Sequence, residues 1–162
     1  MMRVGLGVDL HPFSGDPARP LVLGGVVIPG VPGLAGHSDA DVVVHALADS
    51  LLGAAGMGDL GTRFPAGDER FAGAASTELL REVVEALHEA GLGVENADVA
   101  LVAEWPVLAP FRAAMESTLA GILAAPVRVA PKRAEGLGAL GRREGMGAWA
   151  VVLVDQRERV GP

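Results

Sequence analysis

Apolar positions recur along this chain at two spacings, and the spacing separates helices from strands. Between Ser76 and Ala90, Leu79, Leu80, Val83, Val84 and Leu87 fall on one side of a helix, with Glu78, Arg81, Glu82 and Glu85 on the other. This predicts an amphipathic helix closed by Gly91. The periodicity of Val42, Ala46, Leu47, Leu51 and Ala54 predicts an earlier helix. Ser38 followed three residues later by Asp41 resembles a capping box, so this helix is expected to start there and run to about Gly56. Leu108–Leu123 reads as a third helix. Shorter apolar runs bounded by Gly and Pro read as strands: Arg3–Asp9, Leu21–Ile28 with a break at Gly24-Gly25, Asp98–Ala103, Val127–Ala130 and Trp149–Val154. The segment with Gly58, Gly61, Pro65 and Gly67 reads as a loop, as does the charged, glycine-rich stretch Lys132–Gly147.

The order is strand, strand, helix, helix, strand, helix, strand, strand. It predicts an α/β fold of the α+β type, with a mixed sheet whose helices cover one face. The other face would need a partner, so a homo-oligomer is expected. With 162 residues and neither repeat nor linker, residues 1–162 are expected to form a single domain. Half of the residues are hydrophobic but only 4% aromatic, so the core must be aliphatic. The absence of cysteine excludes disulfides, zinc-thiolate sites and a Cys nucleophile. A net charge of −7 is the wrong sign for a nucleic-acid binder. Within this acidic chain Lys132, Arg133, Arg142 and Arg143 cluster, which points to a small anionic ligand. Neither a signal peptide nor a membrane-length apolar run is read, so a soluble cytoplasmic protein without a membrane partner is expected.

Asp9 and His11 stand two residues apart at the end of the first strand, where side chains i and i+2 point the same way. His45 lies on the first long helix. If that helix packs on that strand, the three could converge on one metal, and two imidazoles, one carboxylate and an open position describe a catalytic site. Asp41 and Asp49 each lie one turn from His45 and are candidates to accept its second ring N–H. A D-x-H triplet and a helix histidine equally fit a satisfied core group, and these residues alone do not choose. His37-Ser38 precedes the expected helix, where an anion or a simple cap would fit. Gly58-Asp59-Leu60-Gly61 fits a carboxylate near polyol hydroxyls, or an ordinary turn. Glu135, among Lys132, Arg133 and several glycines, fits a diphosphate with Mg²⁺, or a solvated loop.

Taken in order, these pieces resemble the 2-C-methyl-D-erythritol 2,4-cyclodiphosphate synthase family over nearly the whole chain. The resemblance is carried by Gly5-Leu6-Gly7-Val8-Asp9-Leu10-His11, Gly36-His37-Ser38-Asp39-Ala40-Asp41 and Val44-His45-Ala46-Leu47. Leu51-Leu52-Gly53-Ala54, Gly58-Asp59-Leu60-Gly61 with Phe64-Pro65, Glu135-Gly136-Leu137-Gly138 and Gly141-Arg142-Arg143-Glu144-Gly145 complete it. It implies Zn²⁺, or another divalent transition metal, on Asp9, His11 and His45, with Mg²⁺ or Mn²⁺ on Glu135 bridging the substrate diphosphate. It implies that His37 and Ser38 contact the phosphate region, with His37 and Arg133 at catalytic positions. Asp59, Leu60, Gly61, Phe64 and Asp68 would meet the methylerythritol part. Ala103 to Ala109, with Pro106 among them, would form the cytidine pocket, and Lys132 and Arg142 would also bind substrate. The implied partners are a small cytidine diphosphate substrate and two further copies of the chain, in a homotrimer with intersubunit active sites. The implied reaction cyclises 4-diphosphocytidyl-2-C-methyl-D-erythritol 2-phosphate and releases CMP, in the non-mevalonate isoprenoid precursor pathway.

The chain departs from the family at several positions. The usual Lys-Ala-Thr-Thr-Thr is here Ala130-Pro131-Lys132-Arg133-Ala134, which trades threonine hydroxyls for two cations. Val107, Ala66 and Ala139 stand where a lysine, an aspartate and an aromatic are usual. Two other readings use the same pocket. One is a non-catalytic trimeric paralogue that binds a metal and an isoprenoid diphosphate; the other is an enzyme acting on another nucleotide-diphosphate sugar alcohol.

Overall fold

The computed structural model describes residues 1–65, 67–68 and 73–156; Ala66 lies outside the described residues. Strand β1 (Arg3–Pro12) opens the chain, followed by β2 (Pro20–Leu23) and β3 (Val26–Pro32). Helix α1 (Val42–Ala55), the short α2 (Leu60–Arg63) and α3 (Ser76–Glu89) come next. Strand β4 (Leu92–Val102), a 3-10 turn at Ala109–Phe111, α4 (Arg112–Leu123) and β5 (Val127–Lys132) follow. The short α5 (Gly138–Gly141) and β6 (Gly145–Gln156) end the described chain.

The main sheet has the order β1-β6-β4-β5. Strands β4 and β5 are parallel, as their connection through α4 requires, and the other pairs are antiparallel. The expected mixed sheet with helices on one face is therefore what forms. Its inner face carries Met146, Ala148, Ala150, Val152 and Val154, all fully or almost fully buried. Helix α1 is enclosed by the sheet and α3, and its residues from Val42 to Ala48 are all buried. On the opposite face Val4, Leu6 and Leu10 are 68, 65 and 56% exposed, beside exposed Val8 and Val151. No helix of the described chain covers these apolar residues, and no helix among the described residues is long and apolar enough to cross a membrane.

Glycine sets how α1 meets the sheet. A Cβ on Gly5 would lie 1.8 Å from the Ser50 carbonyl oxygen, and one on Gly7 would lie 2.0 Å from that of Ala46. The helix backbone rests directly on the strand backbone at these two positions.

Several expected boundaries shift. Leu21–Ile28 is not one strand but the hairpin β2–β3, because Gly24 and Gly25 both take positive φ (56° and 74°), as a tight two-residue turn demands. Ser38 does not cap α1. Asp41 is the N-cap, and its side chain accepts from the N–H groups of Val43 and Val44. The same carboxylate accepts from Gly24 and Gly25, so it joins the hairpin turn to the helix start. The start of β6 was concealed by composition: Gly145-Met146-Gly147 pairs with Leu10-His11-Pro12, inside the stretch read as a loop. The same stretch also carries the single-turn helix α5, and the earlier one read as loop carries α2.

Gly7→Ala is expected to destabilise the protein by about 3 kcal/mol or more, because the added methyl meets helix backbone that cannot rotate away. Urea unfolding measures this; a loss below about 1 kcal/mol would show that α1 can move off β1.

Candidate active site

Strand β1 carries Gly5, Gly7, Asp9 and His11 on one face, opposite Val152, Ala150, Ala148 and Met146 of β6. Where the glycines end, the polar residues begin, and His45 of α1 stands over them. Asp9 Oδ2 lies 2.9 Å from His11 Nε2 and 3.1 Å from His45 Nδ1. The two ring nitrogens are 3.2 Å apart. Ligands held by bonds of about 2.0–2.1 Å around one tetrahedral ion would lie about 3.3 Å from one another, close to these spacings. The three residues are the group of the described chain that could hold a metal ion.

The other ends of the rings decide what these atoms offer. His11 Nδ1–H donates to the Ala35 carbonyl at 2.7 Å, so neutral His11 turns a lone pair, not a hydrogen, toward Asp9. Ser76 Oγ donates to Asp39 Oδ1 and so presents its lone pairs to His45. His45 Nε2–H donates to Ser76 Oγ at 2.9 Å, with Ser38 Oγ at 3.1 Å. His45 Nδ1 is then a lone pair as well. Three lone pairs converging on one point repel unless a cation or a proton lies between them. A proton on His11 would do so in the metal-free chain. Hydrogen bonding to Asp9 raises the His11 imidazole above its usual pKa, against its burial. Burial alone would raise Asp9, but the two histidines outweigh it and hold the carboxyl far below the usual range.

The partner of the second His45 nitrogen is therefore Ser76, backed by Asp39, and neither Asp41 nor Asp49. Asp41 is spent on capping α1 and the hairpin turn, and Asp49 accepts from the Leu60 N–H at 2.7 Å. Ser76, fully buried at the first position of α3, also donates its backbone N–H to Asp39 Oδ2. Its place at the start of the clearest helix in the sequence was legible; its reach to His45 was not, because 31 residues separate them.

A cavity of about 170 Å³ opens beside this centre, lined by His11, His37, Ser38, His45, Leu60, Gly61, Phe64 and Leu79. His37 donates from Nε2 to the Asp68 carbonyl at 3.1 Å, which places Asp68 behind the cavity wall. His37 and Ser38 precede α1, as expected, but the cap is Asp41 and not Ser38. The Arg19 guanidinium donates to the Ser38 carbonyl. Asp59 caps α2 through the Thr62 N–H at 2.7 Å, and this bond lowers its carboxyl pKa. A second cavity, about 190 Å³, is lined by Ala103, Glu104, Pro106, Val107, Leu108, Ala109, Pro131, Lys132 and Arg133. The two cavities share no lining residue. Glu135 and Arg142 line neither cavity: Glu135 sits exposed in a turn, and Arg142 donates to Glu144 at 2.6 Å.

Ser76→Ala is expected to weaken divalent-metal binding by about 10–100-fold, while Asp49→Asn leaves it unchanged. The visible spectrum of bound Co²⁺ reads both. In chelator-treated protein His11, with its raised pKa, adds stability that is complete below the unfolded value of 6.5 and is lost as pH rises through the folded value. Asp9, with its lowered pKa, adds stability above 3.8 and does not lose it in this window. Metal-free stability is therefore expected to fall as pH rises above 6.5, and Asp9→Asn should remove that slope; an unchanged slope would rule out the pairing as its source.

A sequence profile of the YgbB family matches residues 2–155. The 2-C-methyl-D-erythritol 2,4-cyclodiphosphate synthase of Acidothermus cellulolyticus is 51% identical over 152 residues, 94% of this chain and 93% of that protein. The fold is similar to that of the bifunctional IspDF of Campylobacter jejuni, with a TM-score of 0.92 and 38% identity over 98% of this chain, which spans 43% of that one. It is also similar to Plasmodium falciparum IspF in a CDP complex, with a TM-score of 0.83 and 28% identity over 97% of each chain. The chain belongs to the YgbB family.

Proposed function

We propose that the chain is a 2-C-methyl-D-erythritol 2,4-cyclodiphosphate synthase, and that it acts as a cytoplasmic homotrimer. The observation that carries this is the convergence of Asp9, His11 and His45 beside a cavity with both polar and apolar walls. The name shared by its close relatives supports it. Two imidazoles and a carboxylate suit Zn²⁺, which Asp9, His11 and His45 would hold. Glu135, a hard oxygen donor, suits Mg²⁺ or Mn²⁺ on the diphosphate.

In the reaction an oxygen of the 2-phosphate attacks the β-phosphorus and forms a new P–O–P linkage. The bond from that phosphorus to the oxygen shared with the α-phosphate breaks, and CMP leaves with this oxygen. The nucleophile is already an anion, so no side chain must be deprotonated to activate it. The barrier lies in bringing two anionic groups into line. The divalent ions supply charge neutralisation there, and the protein supplies position. Leu60, Phe64 and Leu79 offer the apolar wall for the carbon skeleton, while His37 and Ser38 meet the phosphate. Asp49 holds the Leu60 N–H and so sets the loop that carries Asp59, Leu60 and Gly61. The second cavity suits cytidine, with Lys132 and Arg133 at its diphosphate end.

That the two cavities share no residue supports an active site completed between neighbouring copies. The exposed apolar face of Val4, Leu6, Val8, Leu10 and Val151 offers the surface such copies would bury.

Wild type incubated with 4-diphosphocytidyl-2-C-methyl-D-erythritol 2-phosphate, Zn²⁺ and Mg²⁺ is expected to release CMP and the cyclic diphosphate, identified by phosphorus NMR. His45→Ala should lower the rate at least 100-fold. No release by folded, metal-loaded wild type would sink this reading in favour of a binding paralogue or another substrate.

A further inference from the structure

Glu104 is a mostly buried carboxylate that joins two segments of the second cavity, and no step of the reaction above uses it. Its side chain is 14% exposed. Oε1 accepts from Arg133 Nη2 at 2.9 Å, and Oε2 accepts from the Gly136 backbone N–H at 3.3 Å. Those two bonds hold its carboxyl below the usual range, so it stays charged. Gly136 belongs to a tight turn closed by the Leu137 N–H on the Ala134 carbonyl at 2.9 Å. Both central residues of that turn have positive φ, 52° at Glu135 and 73° at Gly136. A glutamate in the left-handed region persists only where its surroundings hold it.

One carboxylate thus ties the cavity wall to the cation at its mouth and to the turn that presents Glu135. The Ala103 N–H donates to the Lys132 carbonyl at 3.0 Å and fixes the same two segments together. Arg133 is 63% exposed and lines the cavity, and its bond to Glu104 engages one of its five N–H donors. The remainder of the guanidinium fork can meet phosphate oxygens.

We propose that Glu104 is a positioning residue for the substrate diphosphate, aiming Arg133 at the cavity mouth and holding the turn that carries Glu135. Arg133 so aimed takes over contacts for which Lys132-Arg133-Ala134 has no hydroxyl. The inference rests on the cyclodiphosphate synthase reading of the second cavity. A Glu104 that merely competed with the diphosphate for Arg133 would have the opposite effect on binding.

The test is calorimetric binding of CDP and CMP to wild type, Glu104→Gln, Glu104→Ala, Arg133→Ala and the double variant Glu104→Ala/Arg133→Ala. Glu104→Ala is expected to weaken CDP binding about tenfold and CMP binding less than about twofold, with Glu104→Gln between wild type and Glu104→Ala. The double variant should lose less than the product of the two single losses, because the residues act as a pair. Thermal melting controls for folding, which cannot by itself separate CDP from CMP. Equal losses for both nucleotides, strictly multiplicative losses, or tighter CDP binding in Glu104→Gln would each overturn the proposal. Wild type that binds neither nucleotide would overturn the functional reading beneath it, a result distinct from wild type that binds CDP and is indifferent to Glu104.

Discussion

The contact between the backbones of α1 and β1 is the constraint on which the rest of this structure depends. Helices commonly pack on sheets through side chains, which hold the two backbones well apart. Here Gly5 and Gly7 remove that spacer, and the carbonyls of Ser50 and Ala46 lie where a Cβ would be. Ala150 of β6, opposite Gly7, is also small, as is Ala148 opposite Asp9, so the helix sinks toward both strands. Asp9 and His11 continue the glycine face by two and four residues. His45, the neighbour of Ala46, is thereby delivered to them. A bulkier residue at Gly7 would press on the Ala46 carbonyl, one residue from His45.

This geometry alone would bring together three polar side chains that do not want to meet. What makes them able to hold a metal ion is the chemistry behind them. The Ala35 carbonyl and the pair Ser76 and Asp39 take the outward N–H groups of both rings, which leaves three lone pairs facing inward. Such a set is poor at stabilising an empty core and good at holding a cation. Without an ion Asp9 and His11 answer each other instead, and their opposed shifts show that each favours the charged form of the other. The stability of the fold and the affinity for metal are thus linked at one point.

The helices and the candidate group of Asp9, His11 and His45 were legible in the sequence because both are written at short range. Period 3.6 exposes α3, and the i, i+2 spacing of Asp9 and His11 places them on one strand face. The end of α1 at Gly56 was legible for the same reason. The errors occur where distant residues decide. Ser38 with Asp41 has the spacing of a capping box, but Asp41 caps the helix and Ser38 turns toward His45 and Ser76. Gly145-Met146-Gly147 looks like loop in isolation; only its pairing with β1 makes it a strand. Ser76 and Glu104 carry no motif, and their importance comes from partners 31 and 29 residues away along the chain.

The same division runs through the two cavities. Asp9, His11, His45, Ser76 and the two glycines sit in or beside a rigid packed layer, and changing any of them forces a change in several neighbours. Val107, Lys132, Arg133 and Ala139 are exposed. Val107, Lys132 and Arg133 stand at or beyond the ends of β4 and β5, where backbone groups such as the Ala103 N–H hold the cavity's shape whatever side chain is attached. A diphosphate needs positive charge and N–H donors at its oxygens but does not require one residue type to supply them. Threonine hydroxyls can therefore give way to a guanidinium, provided something holds that longer and more flexible side chain in place. A carboxylate on the facing segment, itself anchored by a backbone N–H, is the simplest solution, and Glu104 has the required position.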